Sequence, residues 1–450
     1  MKPEDFNSNA HPAGRTNGPS DEDLLDWTQR ETLKYFTDFA HPASGMARER
    51  SNEVPGYGYG LDCVTTGGTG FGIMAMVAGT ERGWMTKGEL IERLDTIVGF
   101  LEKADRFHGA FSHFIDGNTG KAIPFSAKDD GGDLVETSFL MMGLLSARQY
   151  LRNDPKATGL RNRMTSLYEG VEWNWYTNGE KQLYWHWSPK NGFDMNLPVQ
   201  GWNECLVTHV LAASSPTHPV SEDIYKESWT QGLDFKNGAD YGGVTLPLGP
   251  DQGGPLFFAH YSFMGLNPKE LQDEHANYFQ QNRAHALINY NHAVKNPGQH
   301  KGYGPECWGL TASDGPVGYT VSSPANDTGV IAPTAALSSF PYTPRESLAA
   351  LRHFHANENL KSEYGFADAF SANDDWVADS NLAIDQGPIV VMIENYRSGL
   401  LWNMFMSAPE VQTGLDKLGF EAPATPPALR LEPKPENKLK PPAPKPPTEF

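Results

Sequence analysis

The strongest constraint on this chain is a helical spacing of apolar residues that recurs along its length with few strand signals between. Behind the acidic start Ser20-Asp21-Glu22-Asp23, Leu24, Trp27, Phe36 and Phe39 recur at that spacing. Thr86 followed by Glu89 reads as a capping box, and Leu90, Ile91, Leu94, Ile97, Val98 and Leu101 then form one stripe. Further helices are expected to begin near Asp133, Asn203, Lys269, Arg345 and Asp385. The last (DQGPIVVMIENYRSGLLW) is apolar nearly all round, which predicts burial. Between helices run long Gly-, Pro- and aromatic-rich segments. One, over 108–126, reads as a hairpin turning at Asp116-Gly117-Asn118, and 182–188 (QLYWHWS) reads as a strand. A parallel α/β barrel would alternate strand with helix, and this chain does not. The pattern predicts an all-α toroid whose long loops and short β-hairpins gather at a cleft.

Residues 1–20 are rich in Asn, Gly, Pro and Ser and are expected to form a disordered arm, and 425–450 a Pro/Lys-rich extended tail. No comparable linker interrupts 21–424, so one domain is expected there. With 36 basic against 55 acidic residues, the net charge of -19 repels phosphate backbones and argues against nucleic acid, while a neutral ligand is not resisted. No apolar run reaches the ~18 residues of a membrane span, so membrane insertion is not expected. Cys63, Cys205 and Cys307 are odd in number and far apart, which predicts neither a disulfide framework nor a zinc site. The amino terminus lacks the apolar stretch of a signal peptide and leaves the compartment open.

Three acidic segments could carry chemistry. In Lys128-Asp129-Asp130-Gly131-Gly132-Asp133-Leu134-Val135-Glu136, the glycines permit a tight turn and Asp133 and Glu136 share the first turn of a helix. Helix capping alone would explain Asp133; the addition of Asp129 and Glu136 ahead of an apolar run favours function. In Gly201-Trp202-Asn203-Glu204-Cys205, a Glu facing an apolar neighbourhood is placed where a carboxyl pKa rises, as a general acid requires. Asp385, ahead of the buried helix, is placed to line a pocket floor or simply to cap. The segment from Tyr303 through Glu306 and Trp308 to Asp314 alternates Gly, aromatic and acid, as a sugar-contacting surface does. Trp173, Trp185, Trp187, Trp202, Trp308 and Trp376 are candidate stacking walls, since indole offers a flat apolar face with a polar edge. His113, His186, His209 and His218 are scattered and read as structural hydrogen bonders. There is no GxSxG nucleophile elbow, and Gly67-Gly68-Thr69-Gly70 lacks a phosphate-binding Lys.

The stretches FSAKDDGGDLVETSFLMMGLLSARQYL, GWNECLVTHVLAASSPTHP, YGPECWGLTASDGP, YGFADAF and LAIDQGPIVVMIENYRSGLLW resemble the glycoamylase-like family, in particular glycoside hydrolase family 144, the bacterial β-1,2-glucanases. The resemblance spans most of residues 20–415. It implies an (α/α)6 barrel and inverting, endo-type hydrolysis of linear or cyclic β-1,2-glucan by a monomer without metal or organic cofactor, in the periplasm or outside the cell. It implies Glu204 as the acid, a base or water-holding partner from Asp129, Asp133 and Glu136, and Asp385 as a further cleft acid. Glu306-Cys307 departs from the family pattern before Trp308, so Glu306 is carried only as a substrate contact. Exo-acting release of sophorose and transglycosylation are the alternatives within the class. A polysaccharide lyase, for which a basic cluster is missing, and a non-catalytic glycan-binding protein are the alternatives outside it.

Overall fold

The computed structural model describes residues 18–54 and 59–421. The expected tail over 425–450, and the expected arm apart from residues 18–20, lie outside the described residues. Thirteen α-helices are described: α1 Asp21–Thr37, α2 Thr66–Glu81, α3 Lys87–Leu101, α4 Leu134–Tyr150, α5 Thr158–Glu169, α6 Leu206–Ser214, α7 Asp223–Glu227, α8 Tyr278–Lys295, α9 Pro333–Leu337, α10 Pro344–Ala356, α11 Ala383–Arg397, α12 Leu400–Met406 and α13 Pro409–Leu418. The described strands run only two or three residues each. β1 Cys63–Thr65, β2 Phe114–Asp116 and β3 Ala122–Ile123 form one antiparallel sheet, and β4 Gly132–Asp133 pairs with β5 His186–Trp187. β6 Ala312–Ser313 pairs with β7 Thr320–Val321 as a hairpin. None of the described helices is long and apolar enough to cross a membrane.

Burial divides the helices into two layers. Ser20 and Thr86 cap α1 and α3 with reciprocal capping boxes, and these helices, with α5, α10 and α13, bury one stripe and expose the rest. By contrast α2, α4, α6, α9 and α11 are buried along most of their length. The Gly-rich α2 is the element that periodicity misses. It packs against α1, α4 and α11, so no face is left polar. Its glycines allow that depth: a Cβ on Gly70 would collide with the Phe139 carbonyl, and one on Gly143 with the Gly70 carbonyl. Each helical Gly costs about 1 kcal/mol against Ala, and the close crossing of α2 and α4 offsets it with dense packing.

Two helix starts differ from expectation. The segment at Asn203 turns first and α6 begins at Leu206, while Lys269 lies in a short 3-10 turn. The helix expected there starts instead at Tyr278, where Asn277 accepts from the Gln280 amide. At α8 a side-chain cap, rather than the first apolar residue, sets where the helix starts, whereas α6 begins after Cys205 without one.

The buried helices meet at one end. Thr65 caps α2, Glu136 lies in the first turn of α4, Glu204 in the turn leading to α6, and Leu382 and Ile384 at the start of α11; all five line one cavity. Four helix amino termini therefore face the same space, a setting that favours carboxylates.

Candidate active site

The cavity measures about 550 Å³ and carries three carboxyl groups on its walls, those of Glu49, Glu136 and Glu204. Aromatic side chains supply much of the rest: Tyr59, Phe114, Phe125, Phe139, Trp185, Phe257, Tyr261 and Tyr319. A mostly apolar cleft with a few convergent polar groups is the usual form of a small-ligand site.

Glu136 is positioned by two backbone groups. Its own amide donates to Asp133 Oδ1 at 2.9 Å, and the Gly67 amide at the start of α2 donates to its Oε2 at 2.8 Å. A Cβ on Gly67 would press on that carboxylate, so glycine is needed for the approach. Burial raises the Glu136 carboxyl to about 7, against the opposing pull of His113 and the Gly67 amide. Glu204 is also raised to about 7, by burial first and then by the negative charges of Glu136 and Asp133. The backbone carbonyl of Glu204 accepts from Ser262 Oγ, which in turn accepts from the Val207 amide at 2.9 Å, fixing the turn.

Asp133 lies behind this pair, fully buried and off the cavity wall. Its side chain accepts from His113 Nδ1 at 3.1 Å, Trp185 Nε1 at 3.2 Å and His186 Nε2 at 3.4 Å, besides the Glu136 amide. Burial opposes its ionisation, but those donors hold it well below the usual carboxylate range. Asp129, also buried, pairs with His186 Nε2 at 3.1 Å. Burial would lower both imidazoles; the surrounding carboxylates instead raise His113 to about 9 and His186 to about 10. Two of the histidines that sequence reads as structural, His113 and His186, are therefore cations of this site, alongside Arg50. One ligand atom each from His113, Asp129 and Asp133 lies within 4.8 Å of the others, close enough for a metal ion. The same atoms are engaged in imidazolium–carboxylate pairs.

A second acidic network backs the opposite wall. Arg50 Nε donates to Glu49 at 2.9 Å, and its two Nη atoms grip Asp314 at 3.1 and 3.3 Å. Asp314 also accepts from Ser380 Oγ at 2.6 Å, and its amide donates to Asp368 at 2.8 Å. Asp385 is buried behind the wall, where it donates a hydrogen bond to Asp368. Burial and the neighbouring carboxylate push Asp385 well up, so it keeps its proton, and burial raises Asp368 to about 7.

Of the residues singled out in sequence, His113, Glu136, Trp185 and Glu204 line the cavity, while Asp129, Asp133, Asp314 and Asp385 sit behind its walls. The other stacking candidates do not reach it. Trp173, Trp202 and Trp308 are core residues, Trp202 packed against Tyr278 and Trp308 donating to the Glu346 carbonyl. Trp376 packs on a small cluster around Val330, and Tyr303 donates to Asp327 at 2.8 Å. Glu306 is exposed, and Trp187 contacts His108 and Trp175 outside the cavity. These corrections share a cause: a Trp beside a Gly or Pro reads alike whether it faces a cleft or a core. Sequence reasoning missed Glu49, Arg50, Tyr261, Tyr319 and Phe125. Only the charge-dense run Arg48-Glu49-Arg50 gave a local signal.

A family model described as "Putative glucoamylase" matches residues 196–409. An exo-β-1,2-glucooligosaccharide sophorohydrolase (non-reducing end) from Parabacteroides distasonis is 45% identical over 424 residues, covering 89% of this chain; the chain spans 58% of that curated relative's length. The crystal structure of an endo-β-1,2-glucanase from Chitinophaga pinensis, in complex with sophorotriose and glucose, is 49% identical and covers 90% of this chain and 100% of its own, with a TM-score of 0.88.

Proposed function

The chain belongs to the glycoamylase-like family, and from that premise we propose that it is a glycoside hydrolase of family 144 type, an (α/α)6 enzyme that cleaves β-1,2-glucan internally with inversion. The observation that carries the proposal is the pairing of Glu204 and Glu136 in one aromatic cavity, in environments that separate their roles. Glu136 faces a cationic imidazole and a helix amide, both of which favour its ionised form. Glu204 is raised by burial and by its acidic neighbours Glu136 and Asp133. Both carboxyls stand near 7, so it is these unlike surroundings, a cation and an amide at one and acidic neighbours at the other, that assign base and acid.

In this reading the Glu204 carboxyl gives its proton to the glycosidic oxygen as the bond to the anomeric carbon breaks. Glu136 takes a proton from a water whose oxygen attacks that carbon from the opposite face. Glu204 is left ionised and Glu136 protonated, and exchange with solvent resets both. Inversion calls for carboxyls roughly 6.5–9.5 Å apart, to leave room for the water. Asp133 and Asp129 act through the imidazoles they hold, and Arg50 is held by Asp314 and Glu49 at the cavity wall. No metal takes part in these steps.

The test is to incubate the protein with linear β-1,2-glucan and with other glucans, resolve the products by size and follow the anomeric configuration of the first product. A ladder of β-1,2-oligosaccharides released with inverted configuration supports the proposal. Sophorose alone would replace the endo reading with the exo one that the Parabacteroides relative's name favours. Retained configuration would remove the water-holding role from Glu136. Unsaturated products would identify a lyase, and binding without release of reducing ends would leave only a glycan-binding protein.

A further inference from the structure

Trp185 lines the cavity, and two residues further along the chain Trp187, in β5, lies outside it. Two residues of chain span at most about 7 Å, so the two Cα atoms are neighbours. The strand is tied to the catalytic wall, because Trp187 pairs with Gly132 and His186 with Asp133, just ahead of the helix carrying Glu136. Beyond Trp187 stands Trp175, with ring centroids 6.1 Å apart. One face of Trp175 is stacked on the His108 imidazole at 3.6 Å and 11°, and 41% of the residue is exposed. Trp187 meets the edge of the same imidazole at 4.9 Å.

Several features hold this surface in place. His108 occupies the left-handed region at φ 50°, an uncommon state for a side chain other than Gly or Asn. Its Nδ1 lies 3.1 Å from Glu172 Oε2, and a Cβ on the following Gly109 would collide with the Gly170 carbonyl. A backbone held so close, carrying a ring stacked beneath an exposed indole, does nothing for the core that a buried side chain would not do better. An aromatic platform supported from beneath, with a carboxylate at its edge, matches the apolar face and hydroxyl rim of a sugar ring.

We infer that Trp175, backed by His108 and joined to the cavity through Trp187, is a platform on which a glucan chain continues beyond the cavity. The inference rests on the reading of the cavity as a glucanase site. It assigns Trp187 to the approach to the cavity rather than to its wall.

The experiment compares wild type, Trp175→Ala and Trp175→Tyr on a long linear β-1,2-glucan and on the shortest oligosaccharide cleaved. Loss of one stacking residue is expected to lower the ratio of kcat/KM for polymer over oligosaccharide by about 3- to 10-fold in the Ala variant, with Tyr restoring most of it. An unchanged ratio in an Ala variant that melts like wild type would overturn the inference, as would equal losses on both substrates. Retardation in a gel containing the glucan is measured in parallel. Wild-type protein that is retarded but hydrolyses nothing overturns the catalytic reading alone. In that case, loss of retardation in Trp175→Ala upholds the platform, and retained retardation removes it.

Discussion

Replacing His113 with Gln removes the cation beside Glu136 while keeping a hydrogen-bonding side chain of similar reach. His113 is raised to about 9 by Glu136 and Asp133 in spite of its burial, so across the neutral range it is charged. An opposite charge at close range lowers a carboxyl pKa by about 1–3 units. The imidazole is 25% exposed, so solvent screens part of its field, and the low end, about one unit, is the working magnitude. As the base, Glu136 must be ionised, and activity is lost as pH falls through its pKa. As the acid, Glu204 must be protonated, and activity is lost as pH rises through its own. Removing the cation raises Glu136 by about one unit, and because Glu136 and Glu204 both stand near 7 the change is read as activity: kcat/KM on the acidic side should fall about ten-fold. Activity well above neutral should change far less, so the profile loses height on its acidic side. The assay is kcat/KM for β-1,2-glucan against pH for both proteins. The two limbs report the pair, because Glu136 and Glu204 interact. Activity on the acidic side that is unchanged or higher would refute the electrostatic assignment.

Other outcomes follow from the same geometry. Glu204 is raised in the folded state from 4.5 to about 7, so its contribution to stability is fully present below 4.5 and lost as pH rises through 7. Glu204→Gln should therefore stabilise the protein above neutrality, by about 1–2 kcal/mol once partial exposure is discounted, and not in acid; thermal melts on both sides of the transition check this. Gly70→Ala should destabilise by about 1–3 kcal/mol, because overpacking the α2–α4 crossing outweighs the gain in helix propensity, and a denaturant midpoint at or above wild type would contradict that crossing. A strong chelator should leave turnover unchanged, since imidazolium groups occupy the acidic cluster; loss restored by a divalent cation would show a metal at His113, Asp129 and Asp133.

The legible parts of the site are those set by neighbours in sequence. Asp133 and Glu136 stand three apart at a helix start, so their shared turn follows from helical geometry alone, and Glu204 announces itself by an apolar run directly behind it. The two-layer helical fold is equally local where one face is polar, as in α1 and α3. It fails where no face is polar: α2, buried all round and rich in Gly, carries neither periodicity nor propensity. The remaining walls are long-range. Glu49, Phe125, Tyr261 and Tyr319 lie in four separate segments, and only their convergence makes them neighbours. Trp202 and Trp308 show the converse, since loop-like surroundings in sequence conceal a place in the core.

The central claim, that Glu204 and Glu136 divide acid and base duty in one cavity, is tested most directly by Glu204→Gln. Turnover of β-1,2-glucan should fall by about 10² or more while binding of the polymer persists, as loss of a general acid alone would give. Turnover near that of wild type would contradict the claim.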